Sequence, residues 1–130
     1  MKKVEDYLKD CQLKVWEGQY SVFKTNAKPD AEFVCYIKDH NEITIVAETG
    51  SIASHYILEE ESGWKIITFE AVLPFDLVGF MAAVAKVLAE EQISIFALSA
   101  YSTDHVLVKV GKLESAIQKL KDLGCVLKIN

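Results

Sequence analysis

The stretch "LPFDLVGFMAAVAKVLAEEQ", residues 73–92, decides the fold. Apolar side chains repeat within it at the spacing of an α-helix, so they lie along one stripe of that helix. The stripe consists of Leu77, Phe80, Met81, Val84 and Leu88, and the other side carries Gly79, Lys86 and Glu90. Pro74 interrupts the pattern of the residues before it. The sequence therefore predicts a strand that ends at Pro74, a turn, and an amphipathic helix.

The segments on either side of this helix alternate as strands do. Residues 67–73 place every second side chain on one apolar face. After the helix, "ISIFALSAYS" (93–102) and "HVLVKV" (105–110) predict two strands, and Thr103 with Asp104 predicts the hairpin turn between them. We expect Phe96 and Leu98 to face the helices. The opposite face would then carry apolar side chains that the first half of the chain or a second copy must cover, namely Trp64, Ile66, Ile95 and Ala97.

A second helix and a last strand complete the pattern. The helix carries Leu113, Ala116, Ile117 and Leu120 on one stripe and ends near Gly124, and "CVLKI" (125–129) follows as a strand. The order strand, helix, strand, strand, helix, strand predicts an α+β, ferredoxin-like βαββαβ fold. We expect a four-stranded antiparallel sheet with both helices on one face.

The first sixty residues resemble a weaker copy of this pattern. Residues 12–16 and 20–25 flank "EGQ" as one predicted hairpin, and residues 33–38 and 43–48 flank "DHNE" as another. Residues 51–58 could hold a short helix. Between the two hairpins the chain leaves room for only one or two helical turns, so we expect the long first helix to be missing.

Composition limits the classes of function. The chain has 130 residues, 51% hydrophobic, with a formal charge of −5, which suits one globular domain and disfavours nucleic acid or an anionic membrane as partner. Residues 1–10 are too polar for a signal peptide, and we expect a cytoplasmic protein. The three cysteines, Cys11, Cys35 and Cys125, are widely spaced, which favours reduced, packed thiols over a disulfide framework or a zinc site.

The turn before the helix has two interpretations. Asp76 could accept hydrogen bonds from the first amides of the helix as a cap, or its carboxylate could bind the ammonium group of an amino acid. Gly79 costs about 1 kcal/mol inside a helix, so we expect a strand, a subunit or a ligand to approach it closely. Ser99, Tyr101, Thr103 and Asp104 form a second polar cluster, which a hairpin turn alone explains.

Three pieces of the sequence together resemble ACT domains, the small ligand-binding modules of amino-acid metabolism. They are the strand, turn and helix around Asp76 and Gly79, "ISIFALSAYSTDHVLV" (93–108), and "FVCYIKDHNEITIVAE" (33–48). More narrowly, the chain resembles stand-alone proteins of two ACT-like halves, similar to the ACT pairs of lysine-sensitive aspartate kinases and animal cytosolic arginine sensors. Residues 1–62 would be a degenerate ACT-like half and residues 63–130 an ACT domain.

The resemblance implies where a ligand would lie. In ACT modules that bind amino acids, the ligand lies between this turn and the first residues of the next strand of a paired domain. The implied binding residues are Asp76, Gly79, Ile93, Ser94, Ile95 and Phe96. Ser102 and His105 differ from residues common in relatives, and so do His40 and Asn41.

These observations lead to three hypotheses. The first is a non-catalytic regulatory or sensor protein, expected to be a homodimer, that binds an amino acid between ACT-like domains. The second is a ligand-free module for dimerisation or for docking on another protein. The third, an enzyme, lacks a nucleophile beside a base, a phosphate-binding loop and a metal cluster. We therefore expect no catalysis, no cofactor and no metal, and we expect His40, His55 and His105 at the surface or at an edge.

Overall fold

The computed structural model describes residues 3–128. These residues form two compact units, one made of residues 3–16 and 65–128 and the other of Glu17–Trp64. The boundary between the units falls inside one strand of 14 residues. The first unit is therefore discontinuous in sequence and contains the segment that decides the fold.

The elements follow the predicted order in the second half of the chain. In residues 3–128 the helices are α1 (Val4–Leu8), α2 (Phe80–Glu90) and α3 (Leu113–Asp122). The strands are β1 (Gln12–Val15), β2 (Tyr20–Thr25), β3 (Cys35–Lys38), β4 (Ile43–Glu48), β5 (Ile57–Glu70), β6 (Phe96–Ser99), β7 (Asp104–Lys109) and β8 (Val126–Leu127). Short 3-10 turns cover Ser54–Tyr56 and Val110–Lys112. The order β5, α2, β6, β7, α3, β8 confirms the α+β, ferredoxin-like βαββαβ prediction. The last strand was predicted to reach Ile129, which lies outside the described residues.

The sheet of the first unit has one more strand than predicted. Its order is β6–β7–β5–β1–β8, with β1 antiparallel to β5 and parallel to β8. The predicted hairpin between residues 12–16 and 20–25 is therefore wrong, as is the purely antiparallel four-stranded sheet. Leu13 explains the pairing, because its fully buried side chain joins the core under the helices. Alternation in "QLKV" could not distinguish this distant partner from a local one.

The core of the first unit lies between the sheet and its helices. It combines the helical stripe with one face of the strands, and its buried members include Leu13, Phe69, Phe80, Val84, Leu88, Val106, Val108, Ala116 and Leu120. The Phe69 and Phe80 rings meet edge to face with centroids 5.4 Å apart. This contact fixes the start of α2 over the middle of the sheet, and it confirms the prediction of helices on one face.

Strand β6 presents the opposite face from the one predicted. Ala97 lies opposite Val106, which belongs to the core under the helices, and Ile95 packs against the same core. Phe96 and Leu98 therefore point to the other side of the sheet. The run "ISIFALSA" is apolar at most positions, so its alternation does not identify the inner face. Ile66 and Trp64, which were expected to need cover, are buried.

The second unit is a small sheet with little helix. β2 pairs with β4 and with the first part of β5, and β4 also pairs with β3, which confirms the predicted hairpin around "DHNE". Its buried core consists of Phe23, Ile45, Ala47 and Ile52. Residues 26–34 form no helix in the described chain, as predicted. Across residues 3–128, no helix is both long enough and apolar enough to span a bilayer.

Candidate functional site

The turn between β5 and α2 is longer than the sequence predicts. β5 ends at Glu70, not at Pro74, and α2 begins at Phe80. The backbone N–H of Leu73 donates to the carbonyl of Ser102 at 2.8 Å, and that of Leu77 donates to the carbonyl of Pro74 at 3.1 Å. The turn is therefore hydrogen-bonded to the β6–β7 hairpin through Leu73, whereas the bond of Leu77 stays within the turn.

Asp76 does not cap the helix. The N-cap of α2 is Gly79, which has no side-chain hydrogen bond to the first turn, and Asp76 lies three residues earlier with an exposed side chain. The capping interpretation of Asp76 is therefore wrong, because the turn runs past Pro74 for longer than the apolar pattern suggests. Its carboxylate is available for another role.

Gly79 is required by its backbone conformation. Its φ is +93°, which is in the left-handed region that side-chain-bearing residues rarely adopt. A Cβ built on Gly79 would meet no atom within 4 Å. In the described chain no strand approaches Gly79 closely, so that part of the expectation is wrong, and the left-handed N-cap itself requires the glycine.

A cavity lies where this turn meets the tip of the β6–β7 hairpin, and we call it the turn cavity. Its volume is about 330 Å³, within the range of small-molecule sites. Residues 73–82 supply one wall, including Leu73, Phe75, Gly79, Phe80 and Met81, and the hairpin tip supplies Ser99, Tyr101, Ser102, Thr103 and Asp104. The structure therefore brings the turn around Gly79 together with the polar cluster of the hairpin tip.

The turn cavity offers hydrogen-bond donors at one side and a carboxylate at another. The first backbone N–H of α2 to bond within the helix is that of Ala83, which donates to Gly79 at 3.0 Å. The amides of the first helical turn precede it, and the N-cap supplies no side-chain acceptor for them. Asp104 and the hydroxyl groups of the hairpin tip line the same space. This combination suits a small molecule that carries one negatively charged group, for the amides, and one positively charged group, for the carboxylate.

Asp76 lines a neighbouring cavity of about 500 Å³ on the other side of the turn. Pro74 and Leu77 line both cavities, so one turn separates them. The far wall of this second cavity is α1, including Glu5 and Tyr7. Asp76 and Gly79 are thus close in the chain but line different cavities.

A group of exposed apolar side chains, the apolar rim, surrounds the turn. Val72, Phe75, Val78 and Tyr101 are 76% to 84% exposed. The Phe75 and Tyr101 rings contact each other edge to face, with centroids 4.8 Å apart. Large side chains this exposed and this close together are typical of a surface that binds another molecule.

Ile93–Phe96, the other predicted part of the site, lies at the opposite end of β6. Phe96 pairs with Leu107, whereas Ser99 pairs with Asp104 at the hairpin tip. Ile93 is buried and Ser94 is exposed. Ile93–Phe96 line neither of the two cavities described above. Within one chain, the turn and this segment are therefore separate.

Asp104 and Ser102 line the turn cavity, although the sequence interpretation assigned Asp104 to the hairpin turn and noted Ser102 only as a difference from relatives. The fold prediction itself contained the signal that could have placed them. Since β5 and β7 are antiparallel neighbours, the end of β5 lies beside the start of β7. The turn after β5 must then lie beside the turn before β7.

A partly buried series of hydrogen-bonded side chains crosses the sheet of the first unit on the face opposite the helices. The indole N–H of Trp16 donates to the Thr68 hydroxyl at 2.7 Å, and that hydroxyl lies 2.7 Å from Nδ1 of His105. Burial lowers the pKa of His105, and the charge of Asp104 partly opposes this. His105 is half-buried, so the expected surface position is wrong for this histidine. Within residues 3–128, no group of three or more His, Cys, Asp or Glu could hold a metal ion.

Residues 59–122 match the family model of the ACT domain. The match covers β5, α2, β6, β7 and α3, and so includes the turn cavity. No curated protein matches the sequence significantly.

Solved structures share the ACT-type fold over nearly the whole chain. A protein from Agrobacterium tumefaciens is 25% identical, with a TM-score of 0.78 over 93% of this chain and 96% of its own. A protein of unknown function from Vibrio cholerae is 23% identical, with a TM-score of 0.75 over 90% of this chain and 93% of its own. The regulatory subunit of aspartate kinase from Thermus thermophilus is 8% identical, with a TM-score of 0.63 over 85% of this chain and 95% of its own. At these low identities, the similarity to the Vibrio and Thermus proteins shows a shared fold alone.

Proposed function

We propose that this protein is a non-catalytic regulatory protein that binds a free amino acid at the turn cavity, where two ACT-like domains meet. The observation that carries the proposal is the turn cavity itself, with uncapped amides at the N-terminus of α2 and the Asp104 carboxylate in one space. The ACT match over the same residues supports a regulatory role.

The two ends of an amino acid complement this space. A carboxylate is stabilised at a helix N-terminus by the free N–H groups and by the helix dipole. The ammonium group would be held by Asp104, which lines the same cavity, or by Asp76 on the other side of the turn. Gly79 maintains the left-handed bend that presents the amides.

The remaining predicted contacts would come from a second copy of the chain. Ile93, Ser94, Ile95 and Phe96 lie away from the turn of their own chain, but a paired domain could bring its equivalent segment to it. β6 is an edge strand in residues 3–128, since it pairs with β7 alone there, so its free edge could pair with another copy. The apolar rim around Phe75 would then be covered.

Other parts of the proposal rest on the sequence. They are the division into ACT-like halves at residues 1–62 and 63–130, the likeness to animal arginine sensors, and the cytoplasmic location. The likeness of the Thermus regulatory subunit in fold is compatible with the first of these.

The test is a thermal-shift and calorimetry screen against the twenty amino acids at millimolar concentration. A ligand present at a hundredfold excess over its Kd contributes about 2.7 kcal/mol, which for a chain of this size raises the Tm by roughly 5–10 °C. A weaker response in Asp104→Asn alone would assign the ammonium group to Asp104, and a weaker response in Asp76→Asn alone would assign it to Asp76. Glu90→Gln, at an exposed carboxylate on the far end of α2, should leave the response intact. No response to any amino acid would refute the proposal.

The apolar rim favours one alternative, a ligand-free module that dimerises or docks on a protein. In that case Phe75→Ser, which removes a 77% exposed ring, would abolish association in sedimentation velocity while no amino acid changes the Tm. Under the leading proposal, the same variant weakens both association and ligand binding, because the site needs both copies.

A further inference from the structure

Cys11 and Cys125 lie side by side although 113 residues separate them in the sequence. In the parallel pair of β1 and β8, Gln12 lies opposite Val126, and the N–H of Val126 donates to the carbonyl of Cys11 at 2.8 Å. One residue earlier on each strand, the two cysteines face each other. Both are free thiols, and their residues are only 5% and 4% exposed.

The two thiols interact directly. The neighbouring Cys125 thiol lowers the pKa of Cys11 against the opposing effects of burial and of Glu70. The Cys11 thiol, together with burial, raises the pKa of Cys125. Cys11 is therefore the sulfur that deprotonates first, and Cys125 is the sulfur beside it that keeps its proton.

The spacing permits a covalent bond. Neighbouring strands lie about 4.7–4.9 Å apart, and disulfides join residues whose Cα atoms are about 4.4–6.8 Å apart. Cys35 provides the contrast, because it lies on β3 in the other unit and burial raises the pKa of its thiol. The geometry therefore distinguishes one cysteine pair from the third cysteine.

We propose that Cys11 and Cys125 form a reversible disulfide when the protein meets a hydroperoxide. The Cys11 thiolate attacks one peroxide oxygen, the O–O bond breaks, and a sulfenic acid forms with release of water once a proton is taken up. The sulfur of Cys125 then attacks the sulfenic sulfur, its proton leaves with the hydroxyl group, and a second water is released. Two thiols have lost two electrons to one hydrogen peroxide molecule.

The bond would link the start of the chain to its end. It would lock β1 to β8, the two strands at one edge of the first unit's sheet. A disulfide that closes so long a loop restricts the unfolded chain strongly, so the oxidised protein should melt about 10 °C higher than the reduced one.

The test uses the 130-residue chain with Cys35→Ser, which removes the third thiol. After hydrogen peroxide treatment, blocking of free thiols and tryptic digestion, mass spectrometry should find peptide 10–14 ("DCQLK") joined to peptide 122–128 ("DLGCVLK"). The protein should have lost two hydrogen atoms, and dithiothreitol should restore both thiols and the lower Tm. Two thiols that stay alkylatable, or a Cys11 that oxidises further without the cross-link, would overturn the proposal.

A second variant tests the order of the steps. In Cys125→Ser the sulfenic acid at Cys11 has no partner, so dimedone should label peptide 10–14. In Cys11→Ser, Cys125 has no thiol beside it, so peroxide should produce no cross-link and no rise in Tm. A rise in Tm on oxidation of either single variant would contradict a bond between these two sulfurs.

Discussion

Replacing Gly79 by alanine tests the origin of the helix start. Gly79 has a φ of +93° and no neighbour within 4 Å of a Cβ, so the substitution adds backbone strain but no clash. Left-handed backbone costs a side-chain-bearing residue about 1–2 kcal/mol. Part of this is offset because alanine restricts the unfolded chain more than glycine does. We expect Gly79→Ala to lower the free energy of unfolding by about 1 kcal/mol.

Gly111→Ala is the matched control. Gly111 also has open space around a Cβ, but its backbone is not left-handed, so the same substitution should be neutral or stabilising by about 0.4–1 kcal/mol. Urea denaturation followed by far-UV circular dichroism separates the two variants, because their midpoints should differ by about 0.5–1 M. Equal midpoints for Gly79→Ala and Gly111→Ala would refute the conformational explanation.

Two further predictions concern stability. Leu88→Ala removes a fully buried side chain from the core and should cost about 2–5 kcal/mol, whereas Val78→Ala, at an 84% exposed position, should stay within about 0.5 kcal/mol in the same assay. Because burial lowers the pKa of folded His105 below 6.5, the unfolded chain binds this proton more readily. Its contribution to stability is complete above about pH 6.5 and is lost as the pH falls below that value. The urea midpoint of the wild type should therefore fall more between about pH 7.5 and about pH 5.5 than that of His105→Gln, and parallel pH profiles would contradict this.

The sequence predicts the second half of the fold well because its patterns have different periods. Phe80, Val84 and Leu88 repeat at helical spacing, and "HVLVKV" alternates, so each element type follows from local chemistry. Local patterns could not identify the partner of β1. Leu13 is buried against residues more than fifty positions away in sequence, and no local feature of "QLKV" indicates that contact.

The candidate site was predicted in part. The turn around Gly79 and the cluster at Thr103 and Asp104 were each noted in the sequence, but only the pairing of β5 with β7 joins them in one cavity. The capping interpretation of Asp76 is wrong because proline does not fix how far the turn extends beyond it, and a ligand contact of Asp76 stays a prediction. The thiol pair was missed since Cys11 and Cys125 meet only through the parallel pairing of β1 with β8.

The most direct measurement is a ¹⁵N-HSQC titration of the protein with each of the twenty amino acids. The account predicts that at least one amino acid shifts the amide signals of residues 79–82 and 99–104 together with those of residues 93–96, which a second copy would supply. Signals from the second unit, such as Gly50, should remain in place. If no amino acid moves the signals of residues 79–82, or if the shifts cluster elsewhere, binding at the turn cavity is contradicted.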